Sequence, residues 1–145
     1  MNYLVSKRIP NAEAFLEHCE RITMKSKSVV FRQGELSQDF YVILEGSVSV
    51  IVDDVEDSEQ EMVVSYLNPG EFFGEMGLFG EETRTANLVT RTPCVFAKIS
   101  YEDFHAIRQR YPDVLYALTS QIGQRLKNTT RKLADLTFMG GSIAY

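Results

Sequence analysis

The chain has 145 residues, of which 44% are hydrophobic and 24% charged, with a formal net charge of −5. This length fits one globular domain. The sequence has no apolar run near the ~20 residues of a membrane span and no signal-peptide core. We therefore expect a cytoplasmic protein without membrane contact. The acidic balance argues against a chain that binds nucleic acid by itself, because such chains usually carry a basic face.

A short helix is predicted near the N-terminus. Pro10 and Asn11 precede the segment AEAFLEHC, and asparagine is a common N-cap residue. This places Cys19 within the helix, whereas Cys94 falls in a later strand-like run. Two cysteines in separate elements indicate free thiols rather than a disulfide framework.

From residue 27 the pattern changes to short β-branched and aromatic runs bounded by turn residues. The predicted strands lie in KSVVFRQG, DFYVILEG, GSVSVIVD, QEMVVSYLN, ANLVTR and PCVFAKI. Glu45 and Gly46 predict a tight hairpin between the second and third of these. Strands at this spacing, without helices between them, predict a mainly β fold, an antiparallel jelly roll or barrel of about eight strands.

The segment DDVEDSEQE, residues 53–61, concentrates much of the negative charge. It lacks the turn glycine and the ordered oxygen-ligand spacing of a calcium loop. We therefore predict a solvated hairpin tip and no metal site.

Two helices are predicted at the C-terminal end. Ser100 and Asp103 form a pattern like a capping box before a helix that runs to Arg110. Pro112 suits the first position of a second helix, predicted over 111–139, with apolar residues at steps of three and four. Its length, ~37 Å at about 25 residues, exceeds what one small barrel needs. We therefore predict a dimer seam, with a core helix as the alternative.

The segment GEFFGEMGLFGEETRTANL, residues 70–88, has four glycines in eleven positions. One interpretation is an ordinary glycine-rich turn with Arg84 on the surface. The other is a phosphate site, in which Gly74 and Gly77 open the backbone, one helical turn exposes N–H groups, and Arg84 and Thr85 bind the phosphate oxygens. Glu75 would repel a phosphate, so it fits only if it faces a sugar hydroxyl with Arg84 near enough to balance its charge.

GEFFGEMGLF and RTA resemble the phosphate-binding cassette of cyclic-nucleotide-binding domains, which reads G-E-x-[GA]-L and then R-[ST]-A. The likeness covers nearly the whole chain. KSVVFRQGE, FYVILEGSVSV, EMVVSYLNPGEFFGEMGLF, ISYEDF and RKLADLTF resemble, in order, segments of the bacterial cyclic-AMP receptor protein family.

The resemblance implies a role for each matched position. Backbone groups from Gly74 to Met76, with Arg84 and Thr85, would hold the cyclic phosphate, and Glu75 would bind the ribose 2′-hydroxyl. The base and its surroundings would be contacted by Val50, Val64, Ala86, Arg125, Thr129 and Thr130. In the family, a polar pair at the positions of Thr129 and Thr130 contacts the purine, and one member of the pair comes from each subunit. The helix would therefore both cover the ligand and form the seam of a homodimer.

The same resemblance favours cAMP as ligand because of the pair Thr129-Thr130. Cyclic GMP stays an alternative, because a threonine at position 85 can support guanine recognition in this family. Family members continue into a DNA-reading helix-turn-helix domain, whereas this sequence stops at MGGSIAY. We therefore expect a binding domain over 1–110, the helix over 111–139, a tail over 140–145, and no direct DNA binding.

Two other functions compete with nucleotide binding. A metal-dependent jelly-roll enzyme needs a cluster of histidines and a carboxylate, but His18 and His105 fall in predicted helices, so we expect no enzyme. A ligand-free interaction protein that heterodimerises with a full-length regulator is the remaining alternative. The intact Gly74, Glu75, Arg84 and Thr85 favour a chain that still binds ligand.

Overall fold

The fold is described from a computed structural model, which covers residues 2–54, 56–57, 59–80 and 82–138. In these residues, short helices precede the strands and longer helices follow them. The helices are α1 (Tyr3–Arg8), α2 (Ala12–Leu16), α3 (Tyr101–Arg110) and α4 (Pro112–Phe138), with a 3₁₀ turn over Glu75–Phe79. The strands are β1 (Glu20–Met24), β2 (Val29–Phe31), β3 (Asp39–Glu45), β4 (Val48–Asp53), β5 (Glu61–Leu67), β6 (Phe72–Phe73), β7 (Asn87–Thr90) and β8 (Cys94–Ser100).

The eight strands form two antiparallel sheets of four. One sheet has the order β1-β8-β3-β6 and the other β2-β7-β4-β5. The predicted jelly-roll class is confirmed, whereas the barrel alternative is wrong. Across the described residues the outer strands pair on one side only, so the two sheets stay separate instead of closing into a barrel.

All six predicted strands are present, but the sequence pattern missed β1 and β6. β1 has the sequence ERITM and directly follows a helical stretch, and its side chains are exposed or half-buried. β6 has two residues, which is too short for a period to be visible. The pattern of β-branched and aromatic runs therefore found every strand of one sheet and lost the two outer strands, β1 and β6, of the other.

The predicted hairpin at Glu45 and Gly46 is wrong. The turn is present, but β3 pairs with β6 and β8 whereas β4 pairs with β5 and β7, so the chain passes from one sheet to the other here. Gly46 has φ 89°, and an added Cβ would lie 2.7 Å from Cys94 Sγ and 2.9 Å from Thr92 Oγ1. Glycine is thus required by both conformation and close packing.

The N-terminal helical prediction is partly wrong. α1 was missed, and α2 ends at Leu16, so His18 and Cys19 lie in the turn before β1. Asn11 does precede α2, but it is left-handed with φ 58° and its side chain makes no capping bond. Its Nδ2 instead donates to Asp113 Oδ2 at 2.9 Å, which joins the start of α2 to the start of α4.

Both C-terminal helices begin where the sequence predicts. Ser100 Oγ accepts from the Asp103 N–H at 3.0 Å, and α4 begins at Pro112. The predicted helix end at 139 and the tail over 140–145 fall outside the described residues. None of the described helices is both long and apolar enough to cross a membrane.

Two apolar clusters organise the core. One joins the N-terminal helices, one face of the first sheet and the start of α4, and includes Phe15, Phe40, Phe72, Phe104 and Leu118. The other joins strands of both sheets and includes Ile43, Val48, Phe73, Leu88 and Phe96. Strands β3 and β6 contribute to both clusters, so the segment after β6 leaves the core at a position set by packing on two sides.

The polar hairpin and the thiols agree with their predictions. In the connection between β4 and β5, the described residues 54, 56–57 and 59–60 are exposed. The described residues contain no group of three metal-ligating side chains, and the absence of a metal site stays a prediction. Cys19 and Cys94 are free. Burial raises the pKa of Cys19 to about 12 and also raises the pKa of Cys94, so both thiols are protonated at neutral pH.

Substitution of the two turn glycines with equal φ separates conformational strain from crowding. Gly34 and Gly46 both have φ 89°, but a Cβ at Gly34 meets nothing within 4 Å. We expect Gly34→Ala to lower the free energy of unfolding by about 1–2 kcal/mol, the left-handed penalty, and Gly46→Ala by about 3 kcal/mol or more, since overpacking adds to it. Urea unfolding measures both, and equal losses would contradict the packing role of Gly46.

Candidate functional site

A cavity of about 330 Å³ lies between the segment after β6, strand β5 and the middle of α4. Its walls are formed by residues 73–76 and 83–86, by Val64, Ser65 and Leu67 of β5, and by Arg125, Asn128, Thr129 and Lys132 of α4. The segment over 74–86, named the cassette from here on, therefore faces a helix that is far away in sequence. A volume of this size suits a small ligand.

Most of the predicted site residues meet in this cavity. Those that line it are Val50, Val64, Gly74, Glu75, Met76, Arg84, Thr85, Ala86, Arg125 and Thr129. Thr130 does not line it; its hydroxyl donates to the Leu126 carbonyl oxygen at 3.0 Å. The ligand-binding role of each residue stays a prediction.

The predicted single helical turn in the cassette is the 3₁₀ turn over Glu75–Phe79. Gly74 precedes it with φ 80°, and a Cβ there would lie 2.8 Å from Arg84 Nη1, so glycine permits the arginine to approach. Gly77 does not line the cavity. An added Cβ at Gly77 would lie 2.6 Å from the Tyr101 hydroxyl oxygen, so this glycine makes room for a tyrosine rather than for a phosphate.

Arg84 is buried, with 6% of its surface exposed, so the surface-arginine interpretation is wrong. Its Nη2 donates to Asp39 Oδ1 at 2.6 Å, and its Nη1 donates to the carbonyl oxygens of Asp39 (2.7 Å) and Gly74 (3.0 Å). The guanidinium also lies 4.0 Å from the centre of the Phe31 ring. Its Nε is buried and has no partner among the described residues. The guanidinium is therefore rigidly held, and two of its five N–H donors, one on Nε and one on Nη2, remain available.

Three residues that the sequence did not single out complete this arrangement. Ser37 Oγ accepts from Arg84 Nη1 at 2.9 Å, and the Tyr101 hydroxyl donates to the Gly74 carbonyl oxygen at 2.5 Å. Asp39 also pairs with Lys98 Nζ at 3.4 Å. No local signal marks these residues, because they lie between 17 and 47 positions from Arg84 in the chain.

The carboxylate of Asp39 also affects the pKa of Tyr41, which lies two residues further along β3. The pKa of Tyr41 is raised to about 12, chiefly by burial and secondly by the negative charge of Asp39. The tyrosine therefore stays neutral at physiological pH. Asp39 is the counter-charge of the buried arginine.

Glu75 forms the second ion pair of the cavity. Only 6% of its surface is exposed, and its Oε1 accepts from Arg125 Nη1 of α4 at 3.0 Å. The expectation that Arg84 balances Glu75 is therefore not met, since Arg84 pairs with Asp39. Arg125 Nη2 also donates to the carbonyl oxygen of Phe72, so the helix is joined both to the cassette and to the strand β6 that precedes it.

The cavity is lined by both charged and apolar side chains. Three cationic side chains, from Arg84, Arg125 and Lys132, and the carboxylate of Glu75 line it. Strands β4, β5 and β7 contribute apolar side chains, which include Val50, Val64, Leu67 and Leu88. A cavity of this kind suits a ligand that combines an apolar group with an anion.

The chain matches the family model of the cyclic nucleotide-binding domain over residues 21–111. It belongs to the cyclic nucleotide-binding domain family. The cAMP-activated global transcriptional regulator CRP of Salmonella typhimurium is 43% identical over 131 residues, which are 90% of this chain and 61% of that protein. The cAMP-activated global transcriptional regulator Vfr of Pseudomonas aeruginosa is 37% identical over 136 residues, 91% of this chain and 63% of that protein.

Solved structures of related regulators share the fold of this cyclic nucleotide-binding domain. The c-di-GMP responsive global regulator CLP of Xanthomonas campestris superposes with a TM-score of 0.80 at 40% identity, over 89% of this chain and 64% of that one. The Thermus thermophilus catabolite activator protein gives a TM-score of 0.78 at 29% identity, over 93% of this chain and 63% of that one. This chain thus spans less than two thirds of the length of each of these relatives.

The pair of Asp39 with Arg84 predicts a large cost for the loss of the carboxylate. We expect Asp39→Ala to lower the free energy of unfolding by about 3 kcal/mol, because a buried cation keeps its desolvation penalty and loses its counter-charge. Arg8→Ala is the control, since its pair with Glu71 at 3.3 Å is more exposed and such pairs contribute about 0–1 kcal/mol. Urea unfolding compares the two, and equal losses would show that the Asp39 pair is not buried in solution.

Proposed function

We propose that this chain is a non-enzymatic sensor that binds a cyclic nucleotide, preferentially cAMP, in the cavity between the cassette and α4. The observation that carries the proposal is the buried guanidinium of Arg84, which lines the cavity and keeps its Nε without a partner among the described residues. Buried donors are almost always bonded. An oxygen of a bound anion would satisfy this one.

The charge of the cavity suits a cyclic phosphodiester, which carries one negative charge. Two of the three lining cations, Arg84 and Arg125, already face the carboxylates of Asp39 and Glu75, so the excess positive charge is small. Arg125 Nε is a second buried donor without a partner in the described part of the chain. A planar guanidinium presents its donors in a geometry that matches phosphate oxygens, and the exposed Thr85 lines the same wall.

Glu75 supports a sugar next to that phosphate. A carboxylate repels a phosphate but accepts hydrogen bonds from hydroxyl groups, and this one is held in the cavity wall by Arg125 at 3.0 Å. A ribose 2′-hydroxyl is the proposed donor. Phosphate and ribose recognition side by side select a nucleotide rather than a free anion.

The proposed base position lies between the apolar side chains of Val50 and Val64 and the hydroxyl of Thr129. We favour cAMP because the pair Thr129-Thr130 matches the family's purine contact, and because CRP and Vfr are named as cAMP-activated. The relative CLP is described as c-di-GMP responsive. Cyclic GMP and c-di-GMP are therefore the competitors to test.

We further propose that residues 1–110 hold the ligand and that the helix over 111–139 is both lid and homodimer seam. Leu126, Leu133 and Leu136 are exposed by 66%, 45% and 62%, although leucine is normally buried. Their spacing, with Thr129 between them, fits alternating steps of three and four in a heptad pattern. A second copy of α4 would cover this stripe and bring its own Thr130 near the base.

The output that we propose is regulation of transcription as the sensory part of a regulator, since CRP and Vfr are transcriptional regulators. In this proposal the ligand changes the arrangement of the paired helices rather than any chemistry. A ligand shifts such an equilibrium only by its different affinity for the two arrangements. Contacts to both the cassette and α4 would provide that difference.

Calorimetric titration with cAMP, cGMP and c-di-GMP tests the ligand. We expect one cAMP per chain and weaker binding of the other two. Arg84→Leu should weaken cAMP binding by about 100-fold or more, because two charge-assisted hydrogen bonds contribute about 1.5–3 kcal/mol each. No heat and no thermal shift with any of the three at millimolar concentration would overturn the proposal.

Two variants make the Arg84→Leu result interpretable. Arg84→Lys keeps the charge but loses the planar fork, so it should fold while still binding cAMP weakly. Arg91→Leu removes an exposed arginine that lies over Tyr66, 4.0 Å from the ring centre, and should bind cAMP as the unchanged chain does. Circular dichroism checks that each variant is folded.

Sedimentation velocity tests the helix seam. We expect a dimer that Leu133→Glu converts to monomer, because a carboxylate at a heptad core position would be buried against its own copy. Arg131→Glu introduces the same group at another exposed position of α4, outside the leucine stripe, and should stay dimeric. A monomer for the unchanged chain, or equal behaviour of both variants, would contradict the seam.

A further inference from the structure

We propose that Gln121 is a positioning residue that sets where the ligand-facing half of α4 lies over the cassette, an inference that rests on the proposed function. Its side-chain amide makes two hydrogen bonds to the backbone that leads into the cassette. Nε2 donates to the Gly70 carbonyl oxygen at 2.7 Å, and Oε1 accepts from the Phe72 N–H at 2.9 Å. The bond to Phe72 lies at the free edge of β6, where a further strand would otherwise pair, since β6 is an edge strand.

Gln121 lies where α4 changes from a packed helix to an exposed one. Before it, Val114, Ala117 and Leu118 are buried in the core. Immediately after it, Ile122 still packs against that cluster, but Leu126 is exposed by 66%. The residues of α4 that line the cavity come after this boundary, so their position depends on the direction in which the helix leaves it.

The next turn of the helix makes a contact of a different kind. Arg125 donates to the Phe72 carbonyl oxygen and to Glu75 Oε1, and a ribose hydroxyl would compete for that carboxylate. Gln121 contacts the backbone at Gly70 and Phe72, which no ligand group replaces. It therefore stays a fixed point in both ligand states, while the contact of Arg125 changes with the ligand.

A purely structural role for Gln121 predicts a different effect of its loss on ligand binding. If Gln121 only satisfied two backbone groups, its loss would lower stability and weaken every ligand contact alike. If it positions α4, its loss weakens the contacts made by α4 and leaves those made by the cassette. Thr129 and Thr85 represent the two sets, since both line the cavity and each is proposed to contact the ligand through a hydroxyl.

The first measurement is the affinity for cAMP, by calorimetry, of Gln121→Met and of Gln109→Met. Methionine has nearly the shape of glutamine and removes both hydrogen bonds, and Gln109 is an exposed residue of α3 that receives the same chemical change. Gln121→Met should weaken binding about fivefold, the equivalent of one net hydrogen bond. Gln109→Met should stay within about twofold, as distant surface changes do.

The deciding measurement is a pair of double-mutant cycles with Thr129→Val and Thr85→Val. In the Gln121→Met background, the loss of cAMP affinity caused by Thr129→Val should be smaller by about threefold or more. The loss of cAMP affinity caused by Thr85→Val should stay the same. In the Gln109→Met background both losses should be unchanged. Additivity in both Gln121 cycles, or equal shrinkage in both, would overturn the positioning role.

Two further outcomes are distinguishable. If Gln121→Met does not fold by circular dichroism, Gln121→Glu is used, because it keeps an acceptor for the Phe72 N–H and loses the donor to Gly70; the same pattern is expected. If the unchanged chain binds none of the three nucleotides, the proposed function fails and this inference with it. If it binds cAMP but Gln121→Met binds equally tightly, the inference alone is overturned.

Discussion

The buried guanidinium of Arg84 is the constraint on which the rest of the site depends. A cation removed from water must be neutralised and bonded, and the fold does this with the carboxylate of Asp39 and with the carbonyl oxygens of Asp39 and Gly74. Because these acceptors lie in β3 and at the start of the cassette, the arginine joins the two. The group proposed to bind the phosphate therefore also determines the path of the backbone around it.

The second ion pair, Glu75 with Arg125, extends this constraint to the long helix. Its two members lie 50 positions apart in the sequence, yet they share one wall of the cavity. The two pairs differ in what a ligand would do to them. An anion would add an acceptor at Arg84 without displacing Asp39, whereas a sugar hydroxyl would share Glu75 with Arg125. The cassette side of the cavity would therefore bind the anion without losing its own contacts. The helix side would change its contact between Glu75 and Arg125 when the ligand binds.

Local patterns in the sequence predicted the elements better than their partners. Short β-branched and aromatic runs bounded by turn residues located six strands, and the glycine spacing with Arg84 located the cassette. The turn at Glu45 and Gly46 was assigned to a hairpin because period and turn chemistry do not specify which sheet a strand joins. Asp39 and Gln121 were missed for a related reason, since their importance comes only from long-range contacts to Arg84 and to the backbone at Phe72.

The position of the cavity along α4 has a mechanical consequence. The helix is held by apolar burial up to Ile122 and by hydrogen bonds at Gln121 and Arg125, and beyond that its leucines are exposed. If the helix rotates slightly about this point, its far end moves most, because the displacement grows with distance from the pivot and each residue adds about 1.5 Å to that distance. A ligand bound beside the last held turn would therefore act where little movement of the helix is needed to rearrange the proposed seam of its exposed half.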